Sequence, residues 1–116
     1  MIVKSDIVPK ICSIFIKNVA AITLYPFIFV KRDKAGDKKL INHELIHIEQ
    51  QKELFVIGFY IIYLMDWVRG LLIYKNNLSA YYKIRFEQEA YEHDDDLNYL
   101  EHRRPYAYRK YKIKES

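Results

Sequence analysis

Residues 39–56 read Lys-Leu-Ile-Asn-His-Glu-Leu-Ile-His-Ile-Glu-Gln-Gln-Lys-Glu-Leu-Phe-Val, and this stretch decides the fold. Its apolar residues recur at spacings close to the helical period. This predicts a helix from about Lys39 to about Val56, with Gly58 as the point where it bends or stops. The chain before it has the composition of strands, and the chain after it that of further helices. The sequence therefore predicts an α+β fold, with a small N-terminal β-hairpin or sheet followed by three to four helices.

The segment before this helix is rich in β-branched and aromatic residues. Residues 11–17 and 20–31 are both predicted to be strands and are expected to pair. Pro26 lies inside the second run and has no backbone N–H to donate, so that strand is expected at a sheet edge or with a bulge. Residues 32–38 form a polar turn that ends the β part.

The segment after this helix has the pattern of further helices. A second apolar helix is predicted to continue to about Tyr74, where Asn76-Asn77 breaks it. Ser79 is expected to begin a short helical turn. A last helix is predicted over residues 86–102, and Pro105 closes it.

Length and cysteine content limit the kinds of protein that this chain can be. With 116 residues it is predicted to be a single domain over residues 1–116, β-rich over 1–38, helical over 39–104 and ending in a basic tail over 105–116. Cys12 is the only cysteine, which excludes an intramolecular disulfide and a thiolate-rich zinc site. Any metal must therefore bind to histidine and carboxylate side chains.

The net charge of +4 is unevenly distributed, because basic residues and tyrosines crowd the C-terminus. Such a tail can contact membrane headgroups, nucleic acid or an acidic partner, although a solvated and frayed terminus is the favoured interpretation. In the apolar residues 54–74, Asp66 and Arg69 are spaced to pair with each other. A buried or interfacial helix is therefore favoured over a membrane-spanning one.

These features set the expectations about partners and location. Contact with a membrane surface through residues 54–74 and the basic tail remains open, while a nucleic-acid partner is not expected. No secretory signal is evident, so a cytoplasmic location is expected, with membrane association as the alternative. The sequence does not indicate an oligomeric state.

A His-Glu-x-x-His motif lies within the first helix. His43 and His47 are four residues apart, so their rings project from one helix face and can share a Zn²⁺ ion. Glu44 follows the first histidine and is placed to act as general base by taking a proton from the attacking water. The alternative is a solvated helix face. The apolar residues Leu45 and Ile46 within the motif favour the metal site.

Zinc in a catalytic site usually has three protein ligands, so a third is expected from the helix predicted over residues 86–102. Glu89 is the preferred candidate, because Ala90 beside it would let two helices approach closely. Phe86 and His93 share a face with Glu89, and His93 is expected to contact the ligands from behind or to replace Glu89 as a ligand.

The other polar candidates near the motif are less specific. Glu87 and Glu92 are expected to be solvated. Gln51 is expected to form hydrogen bonds behind the ligands or to the nearby strand, although glutamine is also simply a good helix former. Four side chains are candidates for stabilising an oxyanion, and the sequence does not choose among them: Tyr81, Tyr82, Tyr91 and His102.

The order of these elements resembles the gluzincin metallopeptidases, and more narrowly the minigluzincins, compact soluble relatives of CAAX prenyl proteases and BlaR-type sensor peptidases. The resemblance covers residues 20–102 and depends on His-Glu-Leu-Ile-His and the later Phe-Glu-Gln-Glu-Ala-Tyr. It implies that His43, His47 and Glu89 bind zinc and that Glu44 is the general base of peptide-bond hydrolysis.

The resemblance has further implications. Residues 24–30 would form the rim of the cleft, where an extended substrate could add as a strand. Many gluzincins carry an aspartate four residues after the glutamate ligand, whereas this chain has His93 there and Asp94 next. Minigluzincins can be latent, and the tail after Pro105 is the candidate plug. The alternatives to a peptidase are a metal-stabilised binding domain without catalysis and a membrane-surface protein.

Overall fold

The computed structural model describes residues 2–4 and 21–113. Within them three short strands form one sheet: β1 (Ile2–Lys4), β2 (Ala21–Leu24) and β3 (Phe27–Val30). The strand order is β1-β3-β2, so β3 is central and β2 lies at an edge. β2 runs antiparallel to β3 and β1 runs parallel to it. The α+β prediction is confirmed, because helices follow this sheet.

The strand predicted over residues 20–31 is in fact two strands. A turn at Tyr25 and Pro26 divides it, and Leu24 pairs with Phe27 across the hairpin. Pro26 suits this turn because proline lacks a ladder donor. The strand predicted over residues 11–17 lies outside the described residues. The strand that pairs with the far side of β3 is β1, which the composition did not indicate.

The helix that carries the motif is α1 (Lys38–Glu53), close to its predicted bounds. Asp37 caps it, since its side chain accepts a hydrogen bond from the backbone N–H of Leu40 at 3.1 Å. The next helix, α2 (Ile57–Tyr74), also agrees with the prediction. It is followed by α3 (Asn77–Lys83), which Asn76 caps through the N–H of Ser79.

The last predicted helix divides into α4 (Arg85–His93) and α5 (Tyr99–His102), so the described residues contain five α-helices, besides two short 3-10 helices at Arg32–Lys34 and Ala107–Lys110. The break has a clear cause. The side-chain amide of Asn42 donates to the carbonyl oxygens of His93, Asp94 and Asp96, at 3.4, 2.9 and 3.0 Å. Carbonyls that would continue the helix are thereby bound to α1 instead.

The predicted pairing of Asp66 with Arg69 is wrong, because Asp66 pairs with Arg85. The Arg85 guanidinium donates two hydrogen bonds of 3.0 Å to the Asp66 carboxylate, and the Arg85 backbone N–H donates a third at 3.2 Å. Asp66 is buried whereas Arg69 is exposed, and the Asp66 carboxylate fixes the N-terminal end of α4.

Tight packing holds α2 against α3. A Cβ added at Gly70 would lie 2.9 Å from the Cα of Ala80, closer than carbon atoms pack. The main core cluster comprises Phe59, Ile84, Phe86 and Tyr108. A second cluster between α1 and α4 comprises Ile46, Ala90 and Tyr99.

Residues 105–113 are folded, so the expectation of a frayed tail is wrong for them, although the basic side chains of Arg109, Lys110 and Lys112 are exposed to solvent as expected. Tyr108 and Ile113 are both buried. The Tyr108 ring packs on Phe86 at 4.6 Å between centroids, and the Tyr74 hydroxyl donates to the Ile113 carbonyl at 2.8 Å. This segment therefore covers the core rather than extending into solvent.

Candidate metal centre

The two motif histidines point inward from α1. His43 and His47 are both buried, and their ring centroids lie 4.9 Å apart. Each Nε2 atom faces the same oxygen, Oε1 of Glu87, at 3.0 Å from His43 and 3.1 Å from His47. The motif thus forms an interior cluster and not a solvated helix face.

The outer nitrogen of each imidazole has an oxygen partner that fixes its tautomer. His43 Nδ1 lies 3.1 Å from the carboxylate of Asp94, so this nitrogen must be the donor. His47 Nδ1 lies 2.7 Å from Oε1 of Gln50. The Gln50 amide cannot be reversed, because its Nε2 donates to the Phe86 carbonyl and to Glu89. Both Nδ1 atoms therefore carry hydrogen, and both Nε2 atoms face inward.

Glu87 is the carboxylate that α4 delivers to the imidazoles, and the expectation that it is solvated is wrong. Besides the two histidines it accepts hydrogen bonds from Tyr63 at 2.6 Å and Tyr81 at 3.2 Å. Burial raises the pKa of Glu87, but the charges and hydrogen bonds of His47 and His43 outweigh this and hold it well below its usual range.

Glu89, the preferred candidate for the third ligand, lies elsewhere. Its carboxylate is fully buried and accepts hydrogen bonds from Arg103 and, at 2.7 Å, from Tyr99. Gln50 donates to it at 2.9 Å while accepting from His47, so Glu89 reaches the cluster only through Gln50. Glu89 is thus the partner of a buried arginine, which also pairs with Glu53.

The helical period explains why Glu87, and not Glu89, contacts the two imidazoles. Adjacent residues lie about 100° apart around a helix, whereas residues three or seven apart share a face. Ala90 does allow α4 to approach α1, but the residues that share its face are Glu87 and Asp94, not Glu89. The pattern Glu87, Ala90 and Asp94 was the available signal, and it identifies both the buried carboxylate and the partner of His43.

Glu44 lies beside the two imidazoles and lines a cavity. Its carboxylate is 3.9 Å from His43 Nε2 and accepts a 2.8 Å hydrogen bond from the hydroxyl of Thr23 in β2. Thr23 also donates to the Glu44 backbone carbonyl at 3.2 Å. The edge strand therefore fixes the orientation of this carboxylate, a role that the sequence did not indicate.

The remaining predicted residues have structural partners of their own. Gln51 contacts the nearby strand, as expected: it donates to the Thr23 carbonyl at 3.3 Å and accepts from the Tyr25 N–H at 3.0 Å. His93 does not contact the imidazoles; it stacks on Tyr99, with centroids 3.9 Å apart, and faces the Tyr111 hydroxyl. Asp94 occupies the position behind the ligands that was expected for His93.

A cavity of about 200 Å³ opens beside Glu44, His47 and Glu87. Most of its other walls are apolar or aromatic: Ala21, Ile22, Phe59, Tyr60, Tyr63 and Tyr81. β2, and not the central strand β3, lines this cavity, so the rim predicted over residues 24–30 is corrected to β2. No residue of the described tail over 105–113 lines it, so these residues do not form the predicted plug.

The spacing and charge of the cluster fit a metal ion. Ligand atoms about 2.0–2.2 Å from zinc in tetrahedral directions lie about 3.3 Å from one another. The observed separations from Glu87 Oε1 are 3.0 and 3.1 Å, and donor atoms of His43, Glu44 and His47 all lie within 4.8 Å of one another. His43 and His47 could thus hold a metal ion together with a carboxylate, either that of Glu87 or that of Glu44.

Without a metal, both inward nitrogens need a proton to face Glu87. Burial lowers the pKa of His47, but the charge and hydrogen bond of Glu87, helped by Glu44 and Gln50, raise it to about 9. Burial also lowers the pKa of His43, and the same carboxylates raise it above its usual value while the charge on His47 opposes them. One divalent ion would replace two adjacent protons that repel each other.

No protein-family model, curated protein or solved structure matches this chain.

Proposed function

We propose that this protein is a small zinc-dependent metallopeptidase that hydrolyses peptide bonds, with His43, His47 and Glu87 as ligands and Glu44 as general base. One observation carries the proposal: two buried imidazoles of fixed tautomer direct their Nε2 atoms at one carboxylate oxygen, beside a second carboxylate that lines a cavity. The resemblance of the motif and its later glutamate to gluzincins supports the same chemistry, with Glu87 in place of Glu89.

The chain supplies the groups that such hydrolysis requires. A bound zinc ion would polarise the scissile carbonyl and acidify a water molecule. Glu44, oriented by Thr23, would take the proton from the attacking water and pass it to the leaving amine. Asp94 and Gln50 hold the two imidazoles in position. Of the candidates for stabilising the oxyanion, Tyr81 is the one that lines the cavity.

The cavity walls support a substrate with an apolar side chain next to the scissile bond. Aromatic and aliphatic groups form most of the lining, and the polar atoms cluster at Thr23, Gln51 and the two carboxylates. An apolar group that fills this space gains about 0.8 kcal/mol for each buried methylene. An anionic side chain would lose its hydration there and would face the carboxylates of Glu44 and Glu87.

The experiment that tests the proposal measures zinc content and peptide cleavage in variants of the proposed general base and of one proposed ligand. The parent protein, Glu44→Gln and His43→Ala are purified and their zinc content is measured, and cleavage of a quenched fluorescent peptide library is followed. Glu44→Gln should bind zinc as the parent does and lose at least about 100-fold in turnover. His43→Ala should lose zinc. Glu49→Gln, on the same helix but paired with Lys52 at its surface, is the matched control and should behave as the parent.

Two outcomes would contradict the proposed peptidase activity. Equal cleavage by Glu44→Gln and the parent would exclude the general base. Full zinc occupancy with no cleavage of any library peptide would support the alternative, a metal-stabilised binding domain.

A further inference from the structure

The exposed side of α2 is apolar along its whole length. Its large side chains recur three or four residues apart and form one stripe, with exposed fractions from 44% to 74%: Ile57, Ile61, Leu64, Met65, Val68 and Leu72. A helix of 18 residues is about 27 Å long, so this α2 stripe is much longer than the contact of a single side chain. Exposed apolar surfaces of this extent mark sites of interaction.

The loop that begins the α2 stripe is strained and presents an aromatic ring to solvent. Phe55 is 88% exposed, and Phe55 and Val56 have φ values of 56° and 65°. A β-branched residue such as Val56 rarely adopts a positive φ, so the backbone is strained here. Such strain is typically retained where it serves a function. Here it places Phe55 at the N-terminal end of the α2 stripe.

The exposed charges of residues 54–83, the segment that contains the stripe, are all of one sign. Between residues 54 and 83 the only acidic residue is Asp66, which is buried and paired with Arg85. The charged side chains that reach solvent over this segment are cationic: Arg69, Lys75 and Lys83. The segment that contains the stripe is therefore complementary to an anionic surface.

The opposite side of α2 belongs to the fold. By length and composition this helix could cross a membrane, with a mean hydropathy of 1.4 and 17% of its residues buried. However, Phe59 contributes to the core, Gly70 contacts Ala80, and Asp66 pairs with Arg85. A helix attached to the domain along one side can insert only its outer face, as interfacial helices do.

We propose that the α2 stripe and Phe55 bind the surface of an anionic lipid bilayer, with α2 lying parallel to the membrane plane. A second copy of the chain is a poorer partner, because protein interfaces contain about one hydrogen bond per 100–200 Å², and the stripe has neither a hydrogen-bonding side chain nor a carboxylate. Tyr60, at the border of the stripe, also lines the cavity. A peptide bound at the same membrane would then lie near Glu44, a consequence that depends on the function proposed above.

The test is flotation of the purified protein with lipid vesicles. Vesicles of equal parts phosphatidylcholine and phosphatidylglycerol should bind the protein, while phosphatidylcholine alone and high salt should weaken binding. Ile61→Gln should reduce the partition coefficient about tenfold, because it removes the burial of one large aliphatic side chain. Leu97→Gln is the matched control. Leu97 is also 55% exposed, but it lies in the acidic turn between α4 and α5 and should not affect binding.

Three results would overturn the proposal of membrane binding. Absence of binding to anionic vesicles would do so, as would an equal loss in Leu97→Gln. Light scattering that shows a dimer, dissociated by Ile61→Gln, would assign the stripe to a second copy. Both substituted residues are exposed, and circular dichroism checks that the variants fold. The readout needs neither zinc nor turnover, so the failure of the peptidase proposal would leave it intact.

Discussion

Glu87 Oε1 lies 3.1 Å from His47 Nε2, although forty positions separate the two residues in the chain. This contact joins α4 to α1 at the centre of the proposed metal site. The same oxygen serves His43, so the loss of one carboxylate would remove the partner of both imidazoles.

Glu87→Gln is therefore expected to lower zinc affinity by at least about 100-fold, because an amide is a poor substitute for an anionic ligand. Glu89→Gln should instead leave the zinc dissociation constant within about tenfold of the parent. It should lower the free energy of unfolding by about 3 kcal/mol, because it weakens the buried pair with Arg103. Zinc titrations and urea unfolding of both variants distinguish the two roles, and Glu92→Gln at the surface is the control. The reverse pattern would restore Glu89 as the ligand.

Asp94→Ala is expected to weaken zinc binding about 10- to 100-fold, because His43 would lose the acceptor that fixes its ring and tautomer. Asp95→Ala, one residue later and exposed, should bind zinc as the parent does. Competition with a chromophoric chelator measures both. Equal affinities for the two variants would show that the contact with Asp94 does not support the site.

Zinc affinity is expected to rise with pH up to about 9, by about tenfold per pH unit for each proton displaced. The pKa of His47 is raised to about 9, so at neutral pH zinc must displace a proton from it. The protonated form stabilises the metal-free fold. This contribution is complete below pH 6.5 and is lost as pH rises through 9. Zinc titrations, and urea unfolding in the presence of a chelator, check both trends across this range. Unfolding free energies and affinities that do not change with pH would contradict the assignment.

Gly70→Ala is expected to reduce the free energy of unfolding by about 1–3 kcal/mol, because the new methyl group would clash with the backbone of Ala80. Gly36→Ala is the control, since a Cβ there has no atom within 4 Å. It should change stability by no more than about 0.5 kcal/mol. Chemical unfolding of both variants tests the close approach of α2 and α3, and equal stabilities would argue against it.

Tyr108→Ala is expected to destabilise the protein by about 3 kcal/mol, because its ring is part of the main core cluster. Tyr106→Ala, at a side chain that is 43% exposed, should have a much smaller effect. Deletion of residues 105–116 should accordingly reduce thermal stability and not open the cavity. A truncated chain that unfolds at the same temperature as the parent would contradict this role of the tail.

Much of this architecture could be predicted from the sequence, because local patterns determine it. The boundaries of α1 and α2 follow approximately from helical periodicity, and the shared helix face of His43 and His47 follows from their spacing of four. The hairpin was harder, since a run of strand-forming residues does not show where the chain reverses. Pro26 was the available signal for that turn, but a proline within a strand-forming run also predicts a sheet edge or a bulge.

The errors in the site share one cause, which is contact between residues distant in the chain. Asn42 ends α4 through carbonyl groups more than fifty residues later, and no local pattern reveals this. Arg85 competes successfully with Arg69 for Asp66 because the fold places it opposite the carboxylate. Glu89 was preferred for its neighbour in sequence, although the helical face that Ala90 shares with Glu87 decides the contact.

The hydrogen bonds of Gln51 have a consequence for how molecules of this protein behave in concentrated solution. An edge strand with unsatisfied backbone groups is a template on which strands of other molecules can assemble. The Gln51 amide occupies the carbonyl of Thr23 and the N–H of Tyr25, and the Tyr60 hydroxyl also donates to that carbonyl. Two side chains thus shield part of the outer border of β2, and self-association through it would first have to break their hydrogen bonds.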